Sequence, residues 1–410
     1  MMPFSALFER RSLENPSTPW DKIFDGMDAP TASGVSVTPD KAMGLPALFS
    51  CVQVISQDVA KTPIKFRRMD ADGNFEDVRD HPIWELLHEL SNPEMTAYDF
   101  KYAMQFNLNK YSVAYAQIIR NSRNLPVALW VLDPSKMQVD RDALNRKRYI
   151  YEADSGRFTW TFNPDTPPIL ELRHQSPIQS CKDAIGFAMA LDIYGAKFFA
   201  NGARLSGLLS TDAVLTDKQK QDLREQWEKT HGGTKNAFKV AAVDNGMKFT
   251  PFASQNTDAQ LNEIQKYVRT IIAGLFRVPP HKIGDLERAT FANIEHQAIE
   301  YVWGTLDPFY VAWEQAIKRD LLTTRQYPNY AITFDREVMI RGDLKSRMDA
   351  MAVARQNGIY SANDILRRLG ENTISEADGG NAYLVNGNMI PANTAGQTQQ
   401  PAPQPAGAAA

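Results

Sequence analysis

The chain of 410 residues is 43% hydrophobic, enough to fill the cores of two or three domains. Its formal charge of −3 excludes the strongly basic footprint of a protein that grips phosphates tightly, so contact with nucleic acid should be loose or local. The longest apolar run, Gly186 to Ala200, is broken by Asp192 and Lys197, which excludes a bilayer-spanning channel.

Residues 1–40 mix Pro, Ser, Thr and Gly without periodicity and read as a flexible arm, with no charged segment and apolar stretch of the secretory kind. From Ala42 to Pro63, Leu48, Cys51, Val52, Ile55 and Val59 share one face at helical spacing. Alternation then predicts a strand over Ile64 to Arg68, a turn and short strand over Ala71 to Val78, and a helix over His81 to Leu90. Thr96 reads as an N-cap with Asp99 three residues on, imitating a capping box. A strand from Ala114 to Arg120 and further short strands to Leu172 follow, so the first third is α+β.

Ser176 to Ala203 reads as one long helix, with Pro177 in its first turn and Asn201-Gly202 as a left-handed stop. Next come a strand over Ser206 to Ser210 and a helix over Thr216 to His231. A hairpin-like pair, Ala237 to Val243 and Met247 to Phe252, turns at Asp244-Asn245-Gly246. Leu261, Ile264, Val268, Ile271 and Leu275 form the stripe of another helix, which stops at a polar segment containing Pro279-Pro280. A helix of roughly thirty residues runs from Thr290 to Leu322, and Gly304 with Pro308 predicts a kink. Its stripe of Phe291, Ile294, Ala298, Val302, Leu306, Phe309, Trp313 and Ile317 looks too long for one compact domain to cover, which suggests covering by neighbouring subunits. The strand Tyr330 to Asp335, a helix stopped by Gly358, and a second helix capped by Ser361 and stopped by Gly370 complete the ordered body. The tail from about Asn386 has no apolar face and should be disordered.

The chemical signatures are few. Cys51 and Cys181, the only cysteines, fit buried free thiols of a reducing compartment. There is no GxxxxGK[ST] phosphate loop, no HExxH and no GxSxG, and the six histidines have no ligand spacing. Neither a metal nor a cofactor is therefore expected. The strongest enzyme reading is a metal-dependent hydrolase or nuclease using His281, Asp285 and His296. Interleaved Asp285, Glu287, Lys282 and Arg288 are more simply a solvated, salt-bridging loop. A third reading is a non-viral scaffold that uses its long helices only to oligomerise.

Several blocks, in order, resemble the portal protein of tailed bacteriophages in its long-tailed form. They are SCVQVISQDVAKTPIKFRR, HPIWELLHELSNPEMTAYDF, SPIQSCKDAIGFAMALDIYGAKFFANGARLSGLLS, DAQLNEIQKYVRTIIAGLFRVPPHKIGDLERATFANIEHQ and RGDLKSRMDAMAVARQNGIYSANDILRRLGENTISEADGG. The likeness spans about residues 40 to 391. It implies a portal fold, α+β, assembled as a ring of twelve subunits in the virion, at one capsid vertex, with an axial channel for packaging and ejecting double-stranded DNA. By position, residues 1–40 would be an arm, 41–176 the wing, 177–202 and 258–277 the stem helices, and 203–257 the clip. Residues 278–292 would be the tunnel loop, 293–343 the long kinked helix and a wing strand, 344–385 a short crown and 386–410 the tail. The resemblance implies non-specific DNA contact by the loop through Pro279, Pro280, His281, Lys282 and Arg288. In the clip, Trp227, Arg224 and Asn245 become candidates for subunit or adaptor contact. Implied partners are the terminase large subunit, a head-tail adaptor and a major capsid or scaffold protein, with no membrane; the implied location is the virion, after assembly in host cytoplasm.

Overall fold

The computed structural model describes residues 31–70, 72–200, 207–211, 214–231, 247–251, 257–285, 297–339 and 344–384. The chain divides into two compact units, Met1–Ile340 and Arg341–Ala410.

In the first unit a short helix, α1 (Pro39–Ala42), precedes α2 (Pro46–Lys61). The helix expected from Ala42 thus restarts at Pro46, where the missing N–H costs nothing. All five residues of its predicted face are at most 1% exposed. The strands β1 (Ile64–Met69) and β2 (Phe75–Asp77) follow, then α3 (Pro82–His88). That helix stops short of Leu90 because β3 (Leu90–Asn92) turns back to pair with β4 (Met95–Thr96). Helix α4 (Ala97–Tyr111) starts where the Thr96 hydroxyl accepts from the Asp99 N–H at 3.1 Å and donates to its carboxylate at 2.6 Å. Ser112, left-handed at φ 67°, ends it.

Next come β5 (Val113–Arg120), β6 (Pro126–Leu132), β7 (Met137–Arg141), β8 (Lys147–Ala153), β9 (Gly156–Thr161) and β10 (Ile169–Arg173). They form two antiparallel sheets, ordered β10-β5-β6 and β7-β8-β9. Period-two alternation along β5 serves two cores. Ala114, Ala116 and Ile118 face the main one, while Tyr115 joins Leu132, Tyr149 and Ile169 in a smaller one.

The single helix read over Ser176 to Ala203 is two, α5 (Pro177–Ser180) and α6 (Lys182–Ala200), because Cys181 leaves helical geometry at φ −121°, ψ 42°. Cys181 is consequently half-buried, unlike the fully buried Cys51. Strand β11 (Gly207–Ser210) pairs with β12 (Lys248–Pro251), with α7 (Asp217–His231) between them in sequence. The expected strand at 237–243 and its turn at Asn245 lie outside the described residues.

After α8 (Thr257–Leu275), the chain is helical again from 297. It passes through a π-helical turn, Val302–Leu306, into α9 (Asp307–Leu321). Gly304 lies in that turn and Pro308 in the first turn of α9. The stripe Val302, Leu306, Phe309, Trp313 and Ile317 is at most 6% exposed, covered by the chain's own α2, α4, β10 and β13 (Tyr330–Phe334). This half of the stripe is buried within its own chain, Ala298 is only half-buried, and Phe291 and Ile294 lie outside the described residues. A line of buried amides locks the layers. Trp313 Nε1 donates to Gln105 Oε1 at 2.8 Å, Gln105 to Asn109 at 3.1 Å, and Asn109 to Ser56 Oγ at 3.3 Å. Finally, β13 pairs antiparallel with β1, giving the third three-stranded sheet, β13-β1-β2.

The second unit contains α10 (Leu344–Gln356) and α11 (Ala362–Leu369). Gly358 and Gly370 adopt φ 68° and 80° after these helices, and Ser361 forms a full capping box with Asp364.

Candidate nucleic-acid interface at the root of the 278–292 segment

Helix α8 sets the starting point of the segment by burying Val268, Ile272 and Phe276, while Ile264 of the predicted stripe is 40% exposed. The helix ends in a Schellman motif, with Arg277 N–H on the Gly274 carbonyl at 3.1 Å and Val278 N–H on that of Ala273 at 2.9 Å. That motif places Arg277, a non-glycine, at φ 53°. Its carbonyl accepts from the Thr305 hydroxyl at 2.6 Å, tying the helix end to the π-helical turn. The next residues make a 3-10 turn, Pro280–Ile283, closed by Gly284 at φ 86°.

Lys282 is turned into the body of the protein. Its Nζ lies 2.9 Å from Oδ2 of Asp58 on α2 and 4.5 Å from the centre of the Tyr301 ring. Asp58, 4% exposed, also takes Lys61 at 2.5 Å. The buried Tyr301 hydroxyl makes no hydrogen bond of normal geometry. Burial first, and the nearby Asp58 charge second, push its pKa well up and keep the phenol neutral. His281 Nδ1 lies 3.0 Å from Gln297 Oε1, so it donates to that amide oxygen. The segment therefore leaves its root pinned at three points: Arg277 to Thr305, His281 to Gln297, and Lys282 to Asp58.

A second charged cluster fastens the far end of α9 to the sheets. Glu171 on β10 is 5% exposed and receives Lys147, Arg173 at 2.5 Å and the Tyr149 hydroxyl at 2.7 Å. Burial raises its pKa, but Lys147, Arg173 and the hydrogen bonds outweigh that and hold it at about 2. Burial lowers Lys147 more than Glu171 raises it; the pairing is therefore expressed mainly on the carboxylate, which gathers three donors. Asp320 accepts from the Glu171 N–H at 3.1 Å and from Arg319 at 2.5 Å.

Residues 46–370 match the family described as phage portal protein. This chain belongs to that family. The portal protein of Enterobacteria phage HK97 is 27% identical over 375 residues, 89% of this chain and 87% of the relative. Among solved structures, an HK97 family phage portal protein from Corynebacterium diphtheriae has a TM-score of 0.56 at 16% identity, covering 75% of this chain and 98% of its own. A chain in the neck of a native GTA particle, computed with C12 symmetry, has a TM-score of 0.52 at 19% identity, covering 82% and 95%. At these identities the two structures speak to the portal fold.

Against that fold, the predicted contact residues divide. Pro279, Pro280, His281 and Lys282 sit together at the root of the segment, and Arg288 and His296 lie outside the described residues. Lys282, expected to face DNA, is paired here with the buried Asp58. Among the described residues no three His, Cys, Asp or Glu side chains converge as metal ligands. Arg224 and Trp227 lie on α7, and Asn245 lies outside the described residues. Sequence reasoning missed Asp58, although a carboxylate three residues after Ile55, on the buried face of α2, was a visible anomaly. Thr305 and Glu171 carried no comparable signal.

Proposed function

We propose that this chain assembles as a ring of twelve subunits at one capsid vertex of a virion, and that double-stranded DNA is packaged and ejected through its axial channel. The portal family match over residues 46–370 carries the reading. The C12 symmetry of the GTA neck is the solved parallel for the ring. On this reading residues 41–176 with β13 form the wing, 177–202 and 258–277 the stem, 203–257 the clip, 278–292 the tunnel loop and 344–385 the crown. The long helix joins loop and wing.

A channel must let a polyanion slide, and each firm phosphate contact adds affinity by counterion release. A chain of charge −3, with Lys282 turned inward onto Asp58, suits low friction. Contact by the loop falls to Arg288, with Lys282 as the anchor of its root. Trp227, Arg224 and Asn245 are the proposed clip contacts, and the terminase large subunit, a head-tail adaptor and a capsid or scaffold protein the proposed partners.

Native mass spectrometry with negative-stain images of the purified chain tests the ring. Closed rings with a central hole are expected, and a persistent monomer in the presence of its capsid partner refutes the proposal. For the loop, Arg288→Gln should alter packaged length or DNA retention in intact rings, while Asp58→Asn should raise hydrogen exchange over 278–285. Unchanged packaging and retention with Arg288→Gln would remove the loop from DNA contact.

A further inference from the structure

The outer side of α4 carries a row of aromatic rings, of which only Phe106 also packs against the core. Tyr98, Tyr102 and Phe106 follow one another at helical spacing, with ring centres 6.4 and 6.0 Å apart, and Phe49 of α2 extends the row from Phe106 at 6.3 Å. Tyr98 is 44% and Phe49 39% exposed, and Tyr102 and Phe106 are half-buried. A ridge about 12 Å long, in which Tyr98 and Tyr102 stack, Phe106 meets Tyr102 tilted and Phe49 meets Phe106 edge-on, is a surface that water solvates poorly. Exposed Glu94 and Asp99 stand at its Tyr98 end.

The described chain begins against α6 and reaches the other end of α4 at Asp40. Thr31 is buried against the start of α6, where the Ala32 N–H donates to Asp183 at 3.0 Å; a Cβ on Gly186 would come within 2.7 Å of Thr31 Oγ1. A few residues on, Asp40 of α1 is bonded to Lys110 at 2.6 Å and to the Tyr111 hydroxyl at 3.3 Å, at the C-terminal end of α4. The thirty residues before Thr31 thus join the fold nine residues ahead of Asp40, which is itself bonded about one turn beyond Phe106. They include the apolar Phe4, Leu7 and Phe8, followed by Arg10 and Arg11. The stretch from Arg11 to Thr31 can extend to about 65 Å, several times the ridge.

We propose that the aromatic ridge of α4 is the docking surface of this chain's own N-terminal segment, residues 3–11. Phe4, Leu7 and Phe8 cover Tyr98, Tyr102 and Phe106, and Arg10 and Arg11 lie toward Glu94 and Asp99. Tethering keeps the local concentration of the segment high, so a small apolar contact suffices to hold it. The segment then acts as a strap along the outside of the helix layer, and the inference stands apart from any role in DNA transport.

The test is a benzophenone photocrosslinker at position 102 of the full chain, with the linked peptides mapped by mass spectrometry. Links to residues 1–11 are expected, and they should be lost when Phe4→Ser, Leu7→Ser and Phe8→Ser are combined. Because only the first eleven residues differ in that variant, α4 and its core keep their native sequence. Links to residues beyond 40 in any copy, links that survive the triple change, or no links at all overturn the proposal.

Discussion

Lys101 is the least comfortable charge in the chain. It is 6% exposed on α4, and its Nζ makes a single long hydrogen bond, 3.4 Å, to the Thr62 carbonyl, with no salt bridge among the described residues. Burial lowers its pKa from the ordinary 10.5 to about 8. That difference corresponds to about 3 kcal/mol of penalty on the charged form at neutral pH. Lys101→Met keeps the length of the stem and removes the charge, at the loss of one hydrogen bond worth about 1 kcal/mol. The variant should therefore be more stable at pH 7 by about 2 kcal/mol. The pH dependence gives the sharper check. Between about 8 and 10.5 the unfolded native-sequence chain still binds the Lys101 proton while the folded chain has released it, so its stability rises with pH and the gap closes. Urea unfolding of both proteins at pH 7 to 10, at matched concentration so that assembly does not bias the comparison, measures this. A variant no more stable at pH 7, or a gap unchanged at pH 10, would falsify the reasoning.

Other perturbations follow from particular contacts. Arg277→Gly relieves a left-handed non-glycine at the end of α8 and should raise thermal stability by about 1 kcal/mol. Asn363→Ala removes three bonds, to the Ile374 carbonyl, the Ile374 N–H and Asn381, all at 2.7–2.9 Å. It should speed hydrogen exchange over residues 371–382, at a cost of about 2 kcal/mol. Glu171→Gln leaves Lys147 and Arg173 without their carboxylate and should destabilise by about 3 kcal/mol at pH 7. Because the folded Glu171 pKa of about 2 lies below its ordinary 4.5, its contribution is complete above about 4.5 and is lost as pH falls toward 2. The Gln variant should lack that part of the acid unfolding limb, and an unchanged limb would place the acid sensitivity elsewhere.

Much of the architecture was legible because it is local. The buried face of α2, the Thr96–Asp99 cap, the Ser361 cap and the glycine stops at 358 and 370 each depend on residues three or four apart, and hydrogen bonding at that range does not wait for the rest of the fold. The order of the sequence blocks was also enough to place the chain among phage portal proteins, which the family match over 46–370 agrees with.

What needed the tertiary structure involves partners distant in sequence. Whether the stripe from Val302 to Ile317 was covered by its own chain depended on α2, α4, β10 and β13 closing over it, and the apolar pattern reads the same whichever surface covers it. The direction of Lys282 was undecided in the sequence for the same reason. A lysine in a polar loop can offer its charge outward, but here a buried Asp58, 224 residues earlier, pulls it in. That carboxylate, 4% exposed, is shared between Lys61 of its own helix and Lys282, the second cation further offsetting the cost of its burial. Spacing along the chain determined most of the helices and several of their caps; burial energetics, settled only when remote elements met, decided which charges remain free to act.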